Sequence, residues 1–158
     1  MLNNMIDTFL NKPLVLKTSK LYISFLSILE KMGMPMLILF IRFWIAKIFW
    51  YSGLTKISSW QSTIYLFQYE YKVPVINPEL AAYFATTFEL ACPVLFVIGL
   101  CTRLATLPML AMTVVIQLTY LDLIEHYYWG MLLTLILFYG PGKLSLDNLL
   151  YRKFSKKR

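Results

Sequence analysis

A chain of 158 residues has room for one domain, but 59% hydrophobic residues and a mean hydropathy of +0.63 exclude a soluble globule of that size and indicate a membrane protein. The formal net charge of +7 would suit nucleic acid, yet the basic residues cluster to one side of the apolar runs, which suits a membrane surface instead. No glycine-rich phosphate loop, CxxC or CxxCH occurs, a single histidine cannot build a multi-histidine haem or metal site, and Ser52 lacks the His and Asp that a hydrolase would need.

In chain order, Lys17, Lys20, Ser24, Ser27 and Lys31 recur at intervals of three and four, while Leu21, Phe25, Ile28, Leu29 and Met32 fill the other side. The pattern predicts an amphipathic helix within residues 1–34, lying in the inner interface; a topogenic extension is the alternative. Asp7 with no long apolar run directly after it argues against a cleavable signal peptide, so the first span is expected to anchor itself.

Gly33 and Pro35 open a first span, Pro35 to Leu54. Lys56 to Asn77 is rich in aromatics (Trp60, Tyr65, Phe67, Tyr69, Tyr71) and contains Pro74, which predicts a segment against the outer headgroups with a short helix over Trp60 to Tyr69. Asn77 as cap and Pro78 as first residue start the second span, Leu80 to Leu100. Pro93 in that span frees the carbonyl of Glu89, so a backbone acceptor and a carboxylate coincide at mid-membrane. A tight turn over Cys101 to Arg103 leads to the third span, Leu104 to Leu121. Asp122 and Glu125, with capping-box spacing, open a shorter fourth, Leu123 to Tyr139. Gly140, Pro141 and Gly142 stop it, and Ser145 to Phe154 reads as a short amphipathic helix in a basic tail.

These elements predict an all-α membrane protein. Its core is a four-transmembrane-helix bundle over residues 35–142, preceded by the interfacial segment 1–34 and followed by the basic tail 143–158. Outside the spans, 11 Lys and Arg fall on the side of both termini against 2, Lys56 and Lys72, on the other, which predicts both termini in the cytoplasm.

The charges inside the apolar runs are where chemistry is expected, because each costs on the order of 2.5 to 3.5 kcal/mol at a bilayer centre. They are Arg42 and Lys47 in the first span and Glu89 in the second. Counting rise per residue puts Lys47 and Glu89 both about 16 Å from the inner face and Arg42 about 9 Å deep, making Lys47 and Glu89 natural partners. That pair reads either as glue between helices or as part of a polar pocket for a proton, a quinone headgroup or a small polar substrate. Gln117 could extend such a pocket or simply bond between helices. His126 reads as an exposed residue in the first turn of the fourth span or as a proton donor at the outer interface. Cys92 and Cys101, about 13.5 Å apart along one helix, are too distant for a disulfide. Asp122 and Glu125 read as helix caps rather than catalytic carboxylates.

Residues 36–150 resemble the DoxX family of small bacterial four-helix membrane proteins. The resemblance is carried by IRFWIAKIFWYSGLTKI, PELAAYFATTFELACPVLFVIGLCTRLATLPML and EHYYWGMLLTLILFYGPGKLSLDNLL. Arg42, Ser52, Gly53, Lys56, Glu89, Pro93, Arg103 and Asp147 match its motifs; Lys47 departs from them, the family having a small or apolar residue there. The resemblance implies a membrane part of a thiosulfate-oxidising, quinone-coupled system or of a redox-defence assembly. The expected role is therefore an inner-membrane subunit of a quinone-linked oxidoreductase or redox-defence assembly with a polar intramembrane pocket around Arg42 and Glu89; Glu89 and His126 are candidate catalytic groups, and Arg42, Lys47, Lys56, Glu89 and Gln117 candidate cofactor contacts. No metal and no intrinsic cofactor is expected, a quinone is the candidate ligand, and a soluble or membrane redox partner holds the electron carrier; nucleic acid is not a partner, and a homo-oligomer is compatible. The competing expectations are a non-catalytic scaffold or assembly factor, and a small proton-linked transporter, the latter disfavoured by the lack of an inverted repeat.

Overall fold

The structure, a computed structural model, describes residues 13–71, 76–120 and 122–155. Asp7, Lys72, Pro74, Leu121 and the basic end 156–158 lie outside them. Among the described residues all regular structure is helical. The chain divides into two units, Met1–Leu37 and Ile38–Arg158. The first contains α1 (Pro13–Ile28), in which no residue is buried, and a π-helical turn, Leu29–Gly33.

The second unit takes most of α2 (Met34–Ser58), then α3 (Trp60–Tyr65), α4 (Pro78–Ile98), α5 (Thr102–Thr119), α6 (Ile124–Tyr139) and α7 (Leu146–Ser155). Asn77 caps α4 by accepting from the Glu79 N–H at 2.9 Å, with Pro78 in the first turn where its missing N–H costs nothing. The short helix expected over Trp60 to Tyr69 is α3 followed by a second π turn, Leu66–Tyr71, whose Phe67 and Tyr71 bury against Ala81 and Ala82 of α4.

Among the described residues three helical stretches are long and apolar enough to cross a membrane: Pro13–Ser58, α4 and α5. The segment expected as a fourth span, Leu123 to Tyr139, forms α6, but its 16 residues rise only about 24 Å, short of a hydrocarbon core of about 30 Å. One core nevertheless draws on four helices: Ile38, Ile41, Ile45 and Phe49 of α2, Cys92 and Phe96 of α4, Ala105 and Met109 of α5, and Leu133 and Ile136 of α6. Around it large apolar side chains such as Phe40, Trp44, Leu104, Leu118 and Phe138 are exposed, the reverse of a soluble surface.

Candidate functional site

Two polar clusters interrupt the apolar contacts of α2 with α4, and they are built on different logic. The first, at the end nearer α7, is centred on Arg42, which is 1% exposed. Its Nε donates to the Phe96 carbonyl at 2.7 Å and its Nη2 to that of Val97 at 2.9 Å; Nη1 donates to Pro141 at 3.1 Å and Leu144 at 2.7 Å. These acceptors are carbonyls left without helical partners where α4 ends and in the loop after α6, so one planar guanidinium ties the helix end to the loop. Gly99 closes α4 with φ +74, and a Cβ there would stand 2.5 Å from Arg42 Nη2. Asp147 of α7 accepts from the Cys101 N–H at 2.8 Å and the Thr102 N–H at 3.0 Å, capping α5 from outside its own sequence. Arg103 Nη2 donates to the Phe138 carbonyl at 3.3 Å. The cluster is closed: its charges are spent on backbone and on helix ends.

The second cluster centres on Glu89, which is 2% exposed. Lys56 Nζ lies 2.8 Å from each carboxylate oxygen, donating a hydrogen bond to Oε1. Ser52 Oγ accepts from Lys56 Nζ at 2.9 Å and donates to Oε1 at 3.2 Å. Ser52 and Lys56 are four residues apart and therefore share a helix face. Gly53 lets α2 approach, since a Cβ there would meet Leu90 Cδ2 at 2.8 Å and Glu89 Cβ at 3.2 Å. Glu89 Oε2, although ion-paired, has no aligned hydrogen-bond donor among the described residues. Lys56 and Glu89 line a cavity of about 250 Å³ between α4, α5 and the π turn after α3. Its remaining walls are nearly all apolar, among them Phe67, Phe84, Phe88, Met112 and Ile116. Tyr71 also lines it; burial, with the Glu89 charge adding, pushes the phenol up to about 12, so it stays protonated at neutral pH.

This geometry corrects the expected pairing. Glu89 takes Lys56, not Lys47, because Gly53 and not Lys47 is the part of α2 that lies against Glu89 and Leu90. Lys47 is exposed on another face of α2. Arg42 does not join Glu89 in one pocket; it is held by the Phe96 and Val97 carbonyls, two turns along α4. Gln117 and His126 form a separate group. His126 Nδ1 is 2.8 Å from Gln117 Oε1, Gln117 Nε2 donates to Asp122, and the imidazole meets Trp129 edge-on at 5.0 Å. The imidazole is buried, not exposed as its first-turn position suggested, and it lines an apolar groove of about 910 Å³ between α5 and α6, away from Glu89. Sequence reasoning missed Ser52 and Tyr71 as site residues. The i to i+4 spacing of Ser52 and Lys56 was the available signal for the first; the second depends on how the segment after α3 folds back.

Long apolar helices that enclose charged side chains at their contacts define an integral membrane protein. The chain belongs to the DoxX family, whose model matches residues 37–121. That match contains both Arg42 and the Ser52, Gly53, Lys56 and Glu89 cluster, and stops before α7. No curated protein and no solved structure matches the chain.

Proposed function

We propose that this protein is the integral inner-membrane subunit of a quinone-linked oxidoreductase, with four spans, both termini cytoplasmic and α1 lying in the inner interface, and that a quinone headgroup is held at Lys56 and Glu89. The observation that carries the reading is the buried Glu89 Oε2, without an aligned donor among the described residues, beside an ammonium in an otherwise apolar cavity. Lys56 neutralises the carboxylate, and a ligand hydroxyl would add the aligned donor that Oε2 is without. The cavity's size suits a single ring, and its apolar walls suit an isoprenoid tail.

A bound quinone supplies the two-electron, two-proton carrier that this chain's side chains lack. Lys56 Nζ would donate to a ring carbonyl oxygen, and Glu89 Oε2 would accept from a ring hydroxyl and take up its proton. Ser52 keeps Lys56 and Glu89 in register, and Phe67, Phe84 and Phe88 keep water from the pair. The redox centre that exchanges electrons with the quinone belongs to a partner protein.

The test is a Lys56→Met, Glu89→Leu double variant in lipid nanodiscs, titrated with a short-tailed quinone. Removing both members of a buried pair is often neutral for folding, whereas removing one strands a charge. The expected result is near wild-type thermal stability with quinone affinity lower by on the order of tenfold or more, the loss of one or two buried hydrogen bonds. Wild-type affinity in the double variant, or no binding by wild type, overturns the quinone site and leaves a scaffold or assembly role. Proton-coupled solute flux into liposomes would instead mark a transporter.

A further inference from the structure

Lys47 stands near the middle of α2, exposed, with no ion pair and no hydrogen bond from its side chain among the described residues. At 1.5 Å per residue its Cα is about 16 Å from the Ser58 end, so snorkelling by the length of one side chain does not bring the ammonium to the headgroups. Left alone in lipid, that charge is strongly unfavourable. The surroundings are shaped as well as apolar. Phe43, Trp50 and Tyr51 of α2 and Pro93, Val94 and Val97 of α4 form a groove of about 430 Å³ around Lys47. Ala46 is small enough at its base to admit a close neighbour.

We propose that this face docks a transmembrane helix of a different polypeptide that carries a carboxylate at mid-membrane depth. Charge complementarity selects the occupant. A lipid phosphate stays at the headgroup level and cannot descend to Lys47. A second copy of this chain has no carboxylate to offer there: of its 8 Asp and Glu, only Glu89 lies inside an uninterrupted apolar run, and Glu89 is buried against Lys56. The face is separate from the cavity at Glu89, and the proposal stands whether or not a quinone binds there.

The experiment reconstitutes donor-labelled full-length protein in phosphatidylcholine vesicles. Acceptor-labelled Leu/Ala transmembrane peptides bear Glu, Leu or Lys at their centre, and energy transfer reads association. The Glu-centred peptide should associate on the order of tenfold or more tightly than the Leu-centred one, as an ion pair in place of a stranded charge requires. Lys47→Met should abolish that preference, and Lys47→Glu should transfer it to the Lys-centred peptide, with quinone affinity unchanged in both variants. Equal association of Glu- and Leu-centred peptides overturns the proposal. So does a preference that survives Lys47→Met, one that arises only with anionic lipid, or self-association through Lys47 that the Glu-centred peptide does not compete away.

Discussion

Arg42 and Lys56 are buried cations on one helix, and their neighbours decide what each is for. Among the described residues Arg42 has four backbone carbonyls and no carboxylate in its hydrogen-bond shell, so its removal strands acceptors at the end of α4 and in the loop between α6 and α7. Arg42→Lys, which keeps the charge and loses the fork, should still lower stability by about 2 kcal/mol or more, and Arg42→Met by more, read as Tm in detergent. A variant of Arg42 with wild-type Tm would contradict the staple. Lys56 and Glu89 neutralise each other instead. Glu89→Gln keeps an acceptor for Lys56 and Ser52, whereas Glu89→Leu leaves a buried ammonium alone, so the Leu variant should lose about 3 kcal/mol and the Gln variant clearly less. Equal stability of both with wild type would mean that the carboxylate faces water.

At the scale of elements, the ends of helices carry much of the specificity. Gly99 adopts the left-handed conformation that terminates α4 and leaves room for the Arg42 guanidinium. Gly99→Ala meets both a backbone penalty and a clash, and should cost about 2 to 4 kcal/mol by thermal unfolding. Asp147 shows the same economy between elements, since a carboxylate in the first turn of α7 caps the start of α5. Asp147→Ala should cost about 1 to 2 kcal/mol, with Asp147→Asn milder because an amide oxygen can still accept one N–H. Hydrogen exchange at Cys101 and Thr102 would localise the effect; unchanged protection there would count against the cap. The π turn Leu66–Tyr71 has a different task. It buries Phe67 and Tyr71 together, and Tyr71 meets Tyr120 edge-on at 5.0 Å, which covers the Glu89 cavity at one end.

For the whole molecule the governing quantity is the distribution of charge across the bilayer. The ratio of 11 Lys and Arg to 2 on the two sides of the spans predicts that a reporter fused after Arg158 reads cytoplasmic, and one inserted between Ser62 and Tyr71 reads external. Ends found on opposite faces would rule out four crossings and would leave α6 as a helix that does not span. That outcome matters because α6 contributes Leu133 and Ile136 to the common core while being shorter than the other membrane helices.

The sequence by itself determined the membrane class, the positions of the helices to within a few residues and the ends at Asn77 and Gly140, and its motifs pointed to the family. The class, the helix positions and those ends follow from local properties: hydropathy summed along a run, and the backbone preferences of Asn, Pro and Gly. Only the tertiary structure decided which cation Glu89 takes, because that depends on the rotation of α2 about its axis and its offset along α4. Lys47 and Lys56 are nine residues apart, about two and a half turns, so they point to opposite faces of the same helix. A count of depth alone cannot tell which face meets Glu89. Close packing at Gly53 fixes it, turning Lys56 inward to the carboxylate and Lys47 to the exposed face of α2.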